Sequence, residues 1–149
     1  MTLFETLKLL HVLAATIWVG GGILQTTYVV RSARADAAHR LGVARDMVFL
    51  GSKVFGPASG LAFIFGVWMV IERPAIAFGD TWIVIGLVGF ALSSIVGGAF
   101  FSPKGKALLA ELEAGKPGDA LLKTITRVAF VDQVILLVVV WAMVVRPGA

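Results

Sequence analysis

The sequence predicts an all-α membrane protein, a bundle of four transmembrane helices. Hydrophobic residues make up 58% of its 149 residues and charged residues only 15%, whereas a soluble domain is about half apolar and a quarter charged. Four apolar stretches are long enough to cross a bilayer, and most basic residues lie between them. Because lipid accepts this much apolar surface, we expect one integral membrane domain comprising residues 1–149.

The four predicted spans cover about residues 9–30, 47–71, 82–101 and 128–145. The acidic and basic residues inside them are His11, Lys53 and Asp132. The first span is expected to be retained rather than cleaved as a signal peptide, because it lacks a basic leader and stays apolar to Val30. A short cytoplasmic surface helix is predicted between the third and fourth spans, with Pro103 near its start and Gly115 after its end.

The basic residues predict an orientation. The first and third connections, residues 31–46 and 102–127, hold nine of the thirteen lysines and arginines. The positive-inside rule places these connections in the cytoplasm and both termini outside it. The pI near 9.9 thus reports topology. No nucleic-acid partner is expected, since these connections carry no aromatic residue for stacking on bases.

Three polar side chains are predicted at similar depth in different spans. Counted from the nearest basic connection, Gln25, Lys53 and Asp132 lie roughly 9, 12 and 8 Å deep. We expect a structural ion pair between Lys53 and Asp132, with Gln25 nearby, because each charge alone would be costly in lipid. A proton or ion path, and snorkelling of the side chains to the surface, are the alternatives.

His11 is the other candidate site residue. His11, Trp18, Gly22 and Gln25 fall within about 60° of one another on an ideal helix, so this stripe is predicted to face the bundle. The imidazole could ligate heme, with Met143 as a second axial ligand or a second His11 from a partner chain. The alternatives are a hydrogen-bonded histidine and a methionine in apolar packing. No metal site is predicted, since no other histidine lies in a span and cysteine is absent.

The segment Lys8-Leu9-Leu10-His11 followed by Trp18-Val19-Gly20-Gly21 resembles the first helix of a group of small bacterial inner-membrane proteins. The whole chain, including residues 132–147, resembles most an uncharacterised family of predicted integral membrane proteins within that group. More distantly, the first helix is similar to copper-resistance D-type membrane proteins and to heme-b-dependent protoporphyrinogen oxidases. These resemblances imply the bacterial inner membrane and heme b at His11. Trp18, which lies on the same stripe as His11, is the candidate pocket wall. A functional lysine of the oxidase family has no match here.

Two functions remain open at this point. The first is a non-enzymatic membrane component or an accessory subunit of a larger complex, favoured by many small packing residues such as the G-x-x-x-G at Gly56 and Gly60. That motif does not distinguish packing within the chain from a homodimer. The second is a b-type heme protein, redox-active or sensing, that uses His11. No catalytic residue is proposed, because the phosphate-binding, G-x-S-x-G and H-E-x-x-H motifs are absent.

Overall fold

The computed structural model describes residues 1–148 and consists of four long helices. Helix α1 comprises Leu3–Ser32, α2 Ala37–Glu72, α3 Thr81–Glu113 and α4 Asp119–Val145. Each is long and apolar enough to cross a membrane, and each contains one of the predicted spans. The helices extend past the predicted apolar stretches, since polar residues outside the bilayer continue the same backbone hydrogen bonding.

Short polar side chains begin the first two helices. At α1 the Glu5 amide donates to Thr2 Oγ1 at 3.2 Å and the Thr2 amide donates to Glu5 Oε2 at 2.8 Å, which is a complete capping box. At α2 the His39 amide donates to Asp36 Oδ1 at 2.8 Å. These contacts satisfy amides that have no partner inside a helix.

Two π-helical turns interrupt the α-helical backbone, one in α2 at Gly51–Phe55 and one in α3 at Val96–Phe101. In both, a proline follows two residues after the turn, Pro57 and Pro103. Proline cannot donate a backbone hydrogen bond, and its ring clashes with the carbonyl four residues earlier. A π turn widens the helix and relieves that clash, so each helix continues through its proline.

The predicted surface helix between the third and fourth spans is wrong as a separate element. Residues Ser102–Glu113 are helical, but they continue the third span through the π turn and end α3. Pro103 resembled the first turn of a new helix because proline is common there. The π turn instead accommodates this proline in the middle of one helix.

The helices pack in two pairs. The second half of α2, Gly56–Glu72, lies along α1, and the first part of α3, Thr81–Ile95, lies along α4; contacts between α1 and α4 join the pairs. Many large apolar side chains on the outside stay exposed, such as Ile71 and Val144. In a membrane protein this surface faces lipid.

Ion pairs and hydrogen bonds hold the two basic connections at the same end of the bundle, which we call the basic end (residues 31–46 and 102–127). Arg40 pairs with Asp119 at 2.8 Å and also donates to the carbonyl oxygens of Ser32, Ala33 and Pro117. Arg45 pairs with Glu113 at 3.1 Å. The opposite end, which carries both termini, we call the terminal end.

Two apolar clusters close the bundle, one toward each end. Val29, Leu108, Leu122 and Ile125 form the cluster at the basic end. Val70, Trp82, Ile83 and Ala142 form the cluster at the terminal end. The aromatic rings of Phe63 and Phe90 stack with centroids 4.5 Å apart and join α2 to α3 between these clusters.

Candidate functional site

A cavity of about 490 Å³ lies among the four helices; we call it the cleft. Its lining residues on α1 and α4 are buried or half-buried, whereas those on α2 and α3 include exposed ones. The cleft therefore has α1 and α4 as its back wall and opens between α2 and α3. The exposed lining residues are Ser52, Gly56, Ser94, Gly98, Ser102 and Lys106.

The back wall carries two polar side chains on consecutive residues of α4. Asp132 is only 8% exposed, and its Oδ1 has no hydrogen-bond partner. Gln133 Oε1 is also buried without a partner, while its Nε2 is turned toward Gly22 of α1. Ser93 of α3 lies within hydrogen-bonding reach of the Asp132 carboxyl group. Within residues 1–148, the back wall of the cleft thus holds two buried acceptor oxygens without a hydrogen-bond partner.

Helix α1 contributes further polar groups to the cleft. Gln25 lines it and donates from Nε2 to the Met47 carbonyl oxygen at 3.2 Å. Trp18 lines it about two turns nearer the terminal end and packs edge-on against Phe90, with centroids 5.6 Å apart. Gln25 and Asp132 therefore meet in one cavity, consistent with their predicted similar depth.

Small residues from both π turns form the sides of the cleft. A Cβ atom added to Gly51, Gly97 or Gly98 would meet no other group within 4 Å. These positions leave bare backbone facing open space, which a ligand can approach closely. Single π turns inside α-helices often mark functional positions, and here both lie against the same cavity.

The expected ion pair between Lys53 and Asp132 is not formed. Among residues 1–148, the side-chain ion pairs are those of Arg40 and Arg45. Lys53 is exposed and lies outside the cleft lining, whereas Gly51, Ser52 and Phe55 of the same π turn line it. The depth of Lys53 agreed with that of Asp132, but adjacent residues of a helix point about 100° apart, so Lys53 is directed away.

His11 and Met143 also lie outside the cleft lining as described for residues 1–148. His11 Nδ1 is 2.6 Å from the Ala62 carbonyl oxygen of α2, and the ring packs over Gly66. Met143 packs over Gly86 of α3 and belongs to the cluster at the terminal end. The two side chains thus contact different helices, His11 contacting α2 and Met143 contacting α3.

A family comparison bears on the whole chain. Residues 5–147 match the family model described as "Predicted integral membrane protein (DUF2269)". The chain belongs to this family. Neither a comparison with curated proteins nor one with solved structures gives a match. The family description and the four long apolar helices together establish a multi-pass membrane protein, and the family's description assigns it no activity.

Sequence reasoning missed several residues of the site. Gln133 follows Asp132 inside an apolar stretch, so it carried the same polar-in-lipid pattern but was not singled out. Ser93 and Ser94 are short and are common in membrane helices as packing residues. The two Gly-rich segments before a proline, residues 51–57 and 97–103, were the available pattern for the π turns.

Proposed function

We propose that this protein is a non-enzymatic component of the bacterial inner membrane that binds a single-chain amphiphile from the bilayer in its cleft. One observation carries the proposal: a cavity of about 490 Å³ opens sideways from an apolar bundle and holds two buried acceptor oxygens without partners. Small-molecule sites in proteins typically measure about 300–1,000 Å³ and combine apolar walls with a few polar groups.

The dimensions of the cleft favour a narrow guest. On α3 the lining runs from Ser93 to Lys106, about 20 Å at the rise of a helix. A cavity of about 490 Å³ drawn out over that length is a long groove rather than a rounded pocket, which suits one hydrocarbon chain.

The accessory role indicated by the sequence is retained in this proposal. A subunit of a larger complex could hold such an amphiphile and present it to its partners through the opening between α2 and α3. A homodimer stays a prediction of the sequence; the exposed apolar surfaces of the helices are available both to lipid and to a second chain.

Filling the cleft tests the proposal. In a variant with Trp68 and Trp141 replaced by phenylalanine, the remaining tryptophans are Trp18 in the cleft wall and the buried Trp82. Dodecanol brominated at its chain end should then quench Trp18 saturably in phosphatidylcholine vesicles. Gly97→Leu is expected to weaken this binding by about tenfold or more, because the leucine occupies the space of the chain.

Gly20→Leu is the matched control, since Gly20 is exposed on α1 outside the cleft lining and an added Cβ meets nothing within 4 Å. It should leave the quenching curve unchanged. Equal curves for Gly97→Leu and the parent protein would contradict the proposal. Binding of a partner protein that Gly97→Leu abolishes, without any saturable binding of the alcohol, would favour a docking role instead.

The orientation in the membrane is part of the proposal. The structure places the nine basic residues of the two connections at one end, held by the Arg40 and Arg45 ion pairs, which supports a cytoplasmic basic end. A reporter active only in the periplasm should therefore be active when fused after residue 149. Activity of a cytoplasmic reporter at both termini would reverse the assignment.

A b-type heme protein is the second candidate. One observation favours it: when His11 Nδ1 donates to the Ala62 oxygen, Nε2 keeps its lone pair, and metal-bound histidines commonly have such a second contact. Met143 does not fit as the other axial ligand, because it packs over Gly86. Heme binding would therefore need His11 of a second chain as the other axial ligand. A Soret band of the purified protein that disappears in His11→Ala would support it.

A further inference from the structure

The acceptor oxygens in the back wall of the cleft indicate the chemistry of the guest. We infer that Asp132 and Gln133 bind a cationic, hydrogen-bond-donating head group, an ammonium carried on a single hydrocarbon chain. This inference rests on the proposed binding of an amphiphile in the cleft and specifies the head group of that amphiphile.

The first argument is hydrogen bonding. Asp132 Oδ1 and Gln133 Oε1 are both acceptors, both are buried, and neither has a partner. Buried polar atoms in proteins are nearly always satisfied, so each exception calls for an explanation. A guest that brings N–H donors satisfies these oxygens, whereas a guest with only acceptor oxygens leaves them unsatisfied.

The second argument is charge. Asp132 is 8% exposed inside the fourth predicted span, where an isolated carboxylate is costly. Within residues 1–148 it has no basic partner within 4 Å. Lys53 lies outside the cleft lining, and Lys106 lines its exposed mouth near the basic end. A cationic guest would therefore supply the positive charge that offsets the buried carboxylate.

The third argument is access. The route from lipid to Asp132 passes between α2 and α3, where Gly51, Gly97 and Gly98 present no side chain to the cleft. Phe55 and Phe101 also line the walls and offer apolar contact to a hydrocarbon chain. A head group bound at Asp132 thus leaves its chain in an apolar channel that is continuous with the bilayer.

Three probes with the same chain and different heads test the inference. Dodecylammonium, dodecanol and dodecanoate, each brominated at the chain end, are titrated against Trp18 in the Trp68→Phe/Trp141→Phe protein. The ammonium is expected to bind about tenfold more tightly than the alcohol, because a charge-assisted hydrogen bond replaces a neutral one. The carboxylate should bind most weakly, since it would place a second negative group beside Asp132.

Asp132→Asn should reduce the affinity for the ammonium by about tenfold and leave that for the alcohol within about twofold. Asp46→Asn is the matched control: it removes one carboxylate at the exposed basic end and should change neither value. For each probe, the ratio of the variant's affinity to that of the parent protein does not depend on how strongly the probe partitions into the vesicles.

The outcomes distinguish the assignment of the head group from the proposed binding of an amphiphile in the cleft. Equal affinities for the three heads in the parent protein, or an unchanged ammonium affinity in Asp132→Asn, would overturn the assignment of the head group and leave binding in the cleft standing. An absence of saturable quenching by all three probes would contradict the proposed function itself. Because the comparison of heads uses the parent protein, it holds even if Asp132→Asn folds poorly.

Discussion

A Gly86→Leu variant is expected to be less stable than the parent protein by about 2–3 kcal/mol, the usual cost of overpacking a filled interior. Gly86 is buried on α3, and the Met143 side chain of α4 occupies the space that a Cβ atom would need. Val139 occupies the corresponding space at Gly89, one turn further on. A larger side chain at Gly86 would therefore push the α3–α4 pair apart.

The measurement is the loss of helical circular dichroism on titration of the detergent-solubilised protein with dodecyl sulfate. Gly20→Leu serves as the control, because its side chain would point into open space. It should change the free energy of unfolding by less than about 0.5 kcal/mol. Gly86→Ala and Met143→Ala together should cost less than the sum of the two single changes, because the two side chains occupy the same space. Equal midpoints for Gly86→Leu and Gly20→Leu would show that α3 and α4 do not pack as described.

Asp132→Leu is expected to make the empty protein more stable, by about 1–3 kcal/mol. The Oδ1 atom of Asp132 is buried without a hydrogen-bond partner, and leaving such an atom unsatisfied costs free energy that leucine does not incur. Leucine fits next to Leu136 and Ala129, which line the same part of the cleft. Asp132→Asn should change stability little, since the amide keeps the unsatisfied oxygen.

The same dodecyl sulfate titration measures this effect, with protein freed of bound amphiphile by extensive detergent exchange. A stable Asp132→Leu variant that no longer prefers the ammonium probe would show that Asp132 is kept for binding at a cost in stability. A loss of more than about 1 kcal/mol would instead indicate a stabilising partner for Asp132. The result thus separates a functional carboxylate from a structural one.

The sequence predictions that the structure confirms rest on the lengths of apolar stretches and on local spacings along the chain. The lengths of the apolar stretches located four helices that the structure contains, because spanning requires about 20 apolar residues whatever the packing. The capping box formed by Thr2 and Glu5 also depends only on local spacing, because both residues belong to the start of one helix.

The predictions that failed depended on the direction of a side chain around its helix or on contacts between helices, which the sequence does not give. Lys53 has the depth of Asp132 but points elsewhere, since depth along a helix does not give the angle about its axis. Pro103 resembled a helix start, and only a π turn with a wider backbone let α3 continue through it. The sequence also could not show that His11 Nδ1 lies 2.6 Å from the Ala62 carbonyl oxygen, 51 residues away on α2.

The sequence by itself determined the class of the protein, its four helices and the clustering of its basic residues, because these follow from composition and from hydrogen bonding within each helix. The tertiary structure alone decided that Asp132 and Gln133 face a cavity without partners. Whether a polar atom is satisfied depends on atoms from other helices. Those helices are brought near by the packing of small residues such as Gly86 and Gly89, which a linear sequence does not reveal.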